Sequence, residues 1–222
     1  PNFLSLSNIQ IGSFNLSTFL HKLATRRALK NMSFKPEVIY CHFWKQGIEA
    51  YPFAKENNIP LIVASGEAEI LVSNKHGKLN GLKDYVKGVV CVSTKNKDES
   101  VGLNLTTPDK SRVIPNSIDN NLFYKQDRTG CRKKLGIPED KFVVAFVGWF
   151  ADRKGSARVS EAISQIKDND VYSVFIGEGP DEPTCENILF KGKVIHDDVP
   201  VYLNAADVFV LPTLLEGCCN AV

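Results

Sequence analysis

Short apolar runs alternate with amphipathic stretches along most of the chain. From Asn15 to Lys30 the apolar positions Leu16, Phe19, Leu20, Leu23, Ala24 and Ala28 recur at a helical period, opposite a charged face. Val38 to Cys41 then reads as a strand, and Gly47 to Glu56 as a helix stopped at Asn57-Asn58. Pro60 introduces a strand at Leu61 to Ala64. The polar stretch from Glu67 to Lys87 carries some helical content. Val89 to Val92 reads as a strand, Thr94 to Leu103 as a helix, and Arg112 to Ile114 as a short strand ended by Pro115. After a polar, irregular region from Asn116 to Asp140 the pattern restarts. Phe142 to Val147 is a continuous apolar strand, and Ser156 to Ile166 a helix with Val159, Ala162, Ile163 and Ile166 on one face. Strands follow at Val171 to Ile176, Leu189 to Phe190 and Val208 to Leu211, with a short helix at Val199 to Ala205 before the last.

Strands apolar on both faces and interleaved with helices predict parallel sheets covered on both sides. The expected fold is α/β with two parallel-sheet domains, residues 1–115 and 116–222. The length of 222 residues sits between one domain and two, so the restart of the pattern decides.

Composition removes several classes. A net charge of +2 is too small to argue for nucleic acid. The dense basic cluster Arg128 to Lys134 reads as the solvated face of a short helix. The six cysteines lack CxxC spacing, and Cys41 and Cys91 lie inside apolar runs, as free buried thiols do. This fits a reducing compartment without structural disulfides. Cys41 and His42 find no partners at zinc spacing. No apolar run has transmembrane length, and the sequence opens on Pro1 rather than Met.

The chemistry gathers where strands end. Gly148 to Ser156 (GWFADRKGS) joins a strand to a helix, where open α/β sheets bind ligands. The helix N-terminus welcomes an anion there, and Arg153 and Lys154 add two charges. The order Lys-Gly-Ser is not that of a P-loop. Gly177-Glu178-Gly179-Pro180 follows the next strand, and its glycines allow close backbone approach. Glu216-Gly217 follows the last. Each loop taken alone reads as an ordinary turn, and their agreement points to a phosphorylated ligand. Asp168-Asn169-Asp170 has a metal-holding form but lies at the opposite edge, where it reads as a turn.

These residues in this order resemble the family-4 retaining glycosyltransferases of the GT-B fold. Pro36 to Phe43, Ile59 to Val63, Val89 to Ser93 and Arg112 to Asp119 are similar to the family's N-terminal half and linker. Strand, glycine, basic pair and glycine, then GxGP, Phe190 to Val194, Ala205 to Pro212 and Glu216-Gly217 are similar to its C-terminal half. The resemblance implies that Lys154, helped by Arg153, holds the donor diphosphate and that Glu216 lies close to the donor sugar. It implies that the backbone around Gly217, Cys218, Cys219 and Asn220 contacts the sugar. It places Gly148, Gly177 and Gly179 along the nucleotide, with Lys193 and Val194 where the base is met. His42, Ser65 and Glu67 become acceptor-side candidates, with a packed strand-end role for His42 left open. Trp149 stands where the family often has Arg, and Ser117 where it often has Gly. The family's second glutamate falls just beyond Val222, and its first strand is absent or begins before Pro1, so the resemblance implies two Rossmann-like parallel-sheet domains, both incomplete: a core piece cut at both ends and prone to self-association.

The expected activity is transfer of a sugar from a nucleotide-diphosphate sugar to a glycan or glycolipid hydroxyl with retention. No cofactor and no metal are expected, since two cations neutralise a diphosphate without one. The expected partners are the nucleotide sugar and the acceptor, without nucleic acid. The expected place is the cytoplasm, including peripheral contact with the inner face of the membrane. The alternatives are a non-catalytic fragment or pseudoenzyme of the same fold, and below it a nucleotide-sugar epimerase.

Overall fold

A computed structural model describes residues 10–11, 14–15, 24, 27–28, 31–71, 79–166 and 170–221. Asp168 and Asn169 lie outside it, as does Val222. So does most of the helix expected from Asn15. Residues 24, 27 and 28 are helical, but Asn15 itself lies in a two-residue strand, Phe14–Asn15, paired antiparallel with Gln10–Ile11. The chain divides into two compact units, Pro1–Pro115 and Asn116–Val222.

The first unit holds a four-stranded parallel sheet in sequential order: β1 (Ile39–His42), β2 (Leu61–Ser65), β3 (Gly88–Cys91) and β4 (Ser111–Val113). Leu61, Val63, Val89 and Cys91 are sealed in its core with Trp44, Leu82 and Val86. Helix α1 (Trp44–Glu56) begins three residues before the glycine at which the pattern predicts it. The reason is a cap from far along the chain: the Glu67 carboxylate accepts the Trp44 backbone N–H. Phe43, at φ 71°, turns the chain from β1 into α1, an uncommon backbone state for a residue with a side chain. Gly47 lets α1 lie against β2, because a Cβ there would sit 2.7 Å from Val63 Cγ2. A single turn, α2 (Leu82–Tyr85), precedes β3. Helix α3 (Thr94–Gly102) is capped by the Ser93 hydroxyl, which accepts the Asn96 N–H.

The second unit is wound in both directions from its central strand. Its parallel sheet runs β8 (Val208–Phe209), β5 (Phe142–Val147), β6 (Val171–Ile176), β7 (Ile188–Gly192). Strand β5 is apolar throughout because it has two covered faces. Val144 and Phe146 pack with Phe150, Phe175 and with Val159 and Ile163 of α5 (Ser156–Ser164). Val143 and Ala145 pack with Cys131 of α4 (Arg128–Leu135) and with Val201 and Ala205 of α6 (Val199–Ala205). Each large side chain so buried contributes about 1.5–3 kcal/mol.

The basic cluster on α4 is helical, and Arg128, Lys133 and Lys134 are exposed as a solvated face requires. Arg132 departs from that reading, being 1% exposed. Its guanidinium donates to the carbonyls of Ala205, Pro138, Glu139 and Lys141 and to Asp207 Oδ2 at 2.7 Å. Asp207 in turn accepts the Val143 N–H, so one buried cation ties α4, β5 and the entry to β8 together. Between Pro180 and β7 the chain runs without a helix.

Candidate functional site

All strands of the second unit are parallel, so the loops after β5, β6 and β8 leave from one edge of the sheet. The first two loops interlock through backbone. Phe150 N–H donates to Glu178 O at 2.7 Å, and Asp181 N–H donates to Phe150 O at 3.0 Å. This approach requires glycine twice. At Gly177 (φ 149°) a Cβ would stand 1.9 Å from Gly148 O, and at Gly179 (φ 152°) 2.2 Å from Phe150 O. The missing side chains are therefore used first to seat one loop on the other. Phe150, 2% exposed, pins the loop to the core, while its neighbour Trp149 is 53% exposed.

The charged residues of the loop after β5 meet the loop after β8. Lys154 Nζ lies 2.6 Å and Arg153 Nη1 2.9 Å from Glu216 Oε1. The Thr213 hydroxyl donates to the same oxygen at 2.7 Å. Arg153 Nη1 also donates to Leu215 O at 2.6 Å, and Lys154 Nζ lies 3.8 Å from Cys219 Sγ. The loops are joined by backbone as well: Leu214 N–H donates to Arg153 O at 2.9 Å. Burial alone would raise the Glu216 carboxyl, but the hydrogen bonds from Lys154 and Thr213 and the charges of Lys154 and Arg153 together outweigh it. The net result holds the carboxyl below its ordinary range. Two cations at a strand-end edge can hold an anion and neutralise charge developing on it, and here the anion they hold is the Glu216 carboxylate.

The structure thus brings Arg153, Lys154, Glu216 and Cys219 together. Asn220 is held separately, by Asn116 Nδ2 donating to its Oδ1 at 2.6 Å, and the same amide reaches Cys218 O at 3.5 Å. Gly217, Cys218 and Cys219 are half-buried, as is Val194. Lys193 is drawn to Glu178 Oε1, at 2.8 Å, and Gly177 N–H donates to Gly192 O at 2.8 Å. Gly148 N–H donates to Ile176 O. The sequence pattern singles out neither Thr213 nor Asn116 as a site residue. Thr213 left a trace, since Thr-x-x-Glu spacing lets a hydroxyl and a carboxylate meet. Asn116 left none, standing 104 residues from its partner.

In the first unit, Ser65 is fully buried and donates to Glu67 Oε2 at 3.0 Å, so its hydroxyl is committed to that carboxylate. The Trp44 indole donates to Ser100 Oγ at 2.8 Å, and Asn96 Nδ2 donates to Glu67 O at 2.8 Å, which fixes the loop after β2. His42 is exposed, edge-on to the rings of Tyr40 and Phe43. A cavity of about 260 Å3 is lined by Phe43, Trp44, Lys45, Gln46, Glu67, Glu69, Ile70 and Leu71, and His42 is not part of its lining.

Comparison with known proteins adds the following. Residues 141–222 match the family described as "Glycosyl transferases group 1". The chain is 29% identical over 203 residues to TuaC of Bacillus subtilis (strain 168), a glycosyltransferase whose name places it in teichuronic acid biosynthesis. The match covers 87% of this chain and 51% of that protein, so the chain spans about half the relative's length. Among solved structures, sucrose-phosphate synthase from Thermosynechococcus elongatus superposes with a TM-score of 0.66 at 19% identity, over 90% of this chain and 56% of that one. The Anabaena protein HepE, solved with UDP, superposes with a TM-score of 0.64 at 16% identity, over 88% of this chain and 56% of that one. The α/β architecture with two parallel sheets matches GT-B glycosyltransferase structures. Among the described residues no helix is long and apolar enough to cross a membrane.

Proposed function

We propose that residues 116–222 form the donor side of a glycosyltransferase. It would move a sugar from a nucleotide-diphosphate sugar to a hydroxyl of a glycan or glycolipid, with retention of configuration. The observation that carries this reading is the meeting of Arg153 and Lys154 with Glu216 at the strand-end edge. When the bond from the anomeric carbon to the diphosphate oxygen breaks, negative charge grows on the leaving group. Lys154 and Arg153 stabilise that charge more than they stabilise the bound donor, which is what lowers a barrier. On this reading Glu216 serves the sugar end of the donor, together with the backbone of Gly217 to Asn220. The match of residues 141–222 to a glycosyltransferase family supports the activity. The UDP complex of HepE supports a nucleotide donor, and the name of TuaC a polysaccharide acceptor. The cavity at Phe43, Trp44 and Glu67 is the acceptor-side candidate.

The test is a thermal-shift panel of UDP, GDP, ADP, CMP and their common sugar conjugates, on wild type and Lys154→Ala. One nucleotide diphosphate should stabilise wild type, by about 2.7 kcal/mol at a hundredfold excess over its dissociation constant. Lys154→Ala should abolish the effect. A folded wild type that responds to no nucleotide would overturn the reading.

A further inference from the structure

We infer that Glu216 is an internal counter-ion, which fills the anion position between Lys154 and Arg153 until a diphosphate displaces it. The inference rests on the donor-site reading above and adds how that site is regulated: binding is the exchange of one anion for another.

One carboxylate oxygen, Glu216 Oε1, takes three donors: Lys154 Nζ at 2.6 Å, Arg153 Nη1 at 2.9 Å and the Thr213 hydroxyl at 2.7 Å. A ligand phosphate oxygen between those two cations would want the same donors. Lys154 and Glu216 are both largely shielded, with side chains 17% and 20% exposed, so neither charge is satisfied by bulk water. Leaving the two cations without an anion would be unfavourable, and the carboxylate supplies one.

The exchange does not require the loops to part. Leu214 N–H donates to Arg153 O at 2.9 Å and the Thr213 hydroxyl approaches the same carbonyl at 3.2 Å. Asn116 holds the far end of the loop through Asn220 at 2.6 Å. With the backbone fixed at both ends, the exchange needs only the Glu216 side chain to turn away while its loop stays in place. A diphosphate brings more charge and more oxygens than one carboxylate, so it wins the exchange. A singly charged or weakly held anion does not, and the internal carboxylate screens the site against it. Because the carboxylate must leave first, it lowers the apparent affinity for every diphosphate by the fraction of time the site is closed.

The prediction runs opposite to that of a supporting residue. Removing a group that merely braced the loop would weaken binding; removing a competitor tightens it. The experiment is calorimetric titration of wild type, Glu216→Gln and Glu216→Ala with inorganic pyrophosphate and with UDP, GDP and ADP, after circular dichroism has shown each variant folded. Pyrophosphate carries no sugar, so contacts from Glu216 to a donor sugar do not enter. Both variants should bind pyrophosphate and the preferred nucleoside diphosphate roughly five- to tenfold more tightly than wild type. Lys154→Ala should bind both more weakly.

If wild type prefers one nucleoside diphosphate but the folded variants bind it equally or less tightly, the counter-ion inference is overturned and the donor-site reading stands. If the variants tighten on pyrophosphate while no protein prefers any nucleotide, the counter-ion stands and the nucleotide reading falls. If neither wild type nor the variants bind pyrophosphate or any nucleoside diphosphate, the cation pair is no anion site and both fall.

Discussion

At the scale of the residue, the chemistry rests on side chains whose neighbours decide their charge. The Glu216 carboxyl is pushed up by burial but pulled down further by Lys154, Thr213 and Arg153, so its folded value lies below the ordinary glutamate range of about 4–4.5. For a depressed carboxyl the sign is fixed. The stabilisation is fully present above the ordinary value and is lost as pH falls through the depressed one. Wild type should therefore melt higher than Glu216→Gln at neutral pH, and the gap should close on acidification below that range. Melting curves of the two proteins from pH 7 to pH 3 check this; a gap unchanged by pH would mean that the carboxylate charge contributes nothing to the loop. The sequence made this cluster partly legible. Lys154, Arg153 and Glu216 stand out because two cations and an acid occupy strand-end loops. Arg132 misled, because in RTGCRKK nothing local distinguishes the one cation that turns inward. Its acceptors are mostly backbone carbonyls, which every sequence has, and Asp207, 75 residues on.

At the scale of the element, strands buried on both faces were the easiest to read. Phe142–Val147 and Val171–Ile176 have the bounds their apolar runs predict, because Val143 to Phe146, and Val171, Val174 and Phe175, meet a core on one face or the other. Boundaries set by distant groups were not legible. Helix α1 starts at Trp44 because Glu67 caps it, and β8 ends at Phe209, short of the apolar Val210 and Leu211. The glycines of the loops show the same limit: the sequence marks them as special, but only the fold shows what they are near. Two substitutions separate the reasons. Gly136, at φ 67°, closes α4 with open space where a Cβ would go, so Gly136→Ala carries only the backbone cost, about 1–3 kcal/mol. Gly177→Ala carries a similar backbone cost and a Cβ 1.9 Å from Gly148 O, which forces the loops after β5 and β6 apart. In urea unfolding Gly177→Ala should lose clearly more stability than Gly136→Ala, and it alone should lose nucleotide binding. Equal losses in the two variants would show that the loops are not seated on each other as described.

At the scale of the whole molecule, each unit has its own sheet and its own core. The two tryptophans are divided between the units and differ in environment. Trp44 is fully buried in the first, with its indole N–H on Ser100, while Trp149 is 53% exposed in the second, in the loop that carries Arg153 and Lys154. Every group of the proposed anion site, from Arg153 to Asn220, belongs to the second unit. Trp44→Phe and Trp149→Phe each leave one reporter. A nucleoside diphosphate that binds the Lys154 loop should change the emission of the protein that keeps Trp149. It should leave that of the protein that keeps Trp44 near its starting value, because that indole is fully buried and its N–H is already taken by Ser100. On denaturation the order reverses. Trp44 passes from a dry core into water and shifts strongly to the red, while Trp149 starts largely in water and shifts little. A ligand response carried by Trp44 alone would move the anion site out of the second unit, and with it the assignment of Lys154, Arg153 and Glu216.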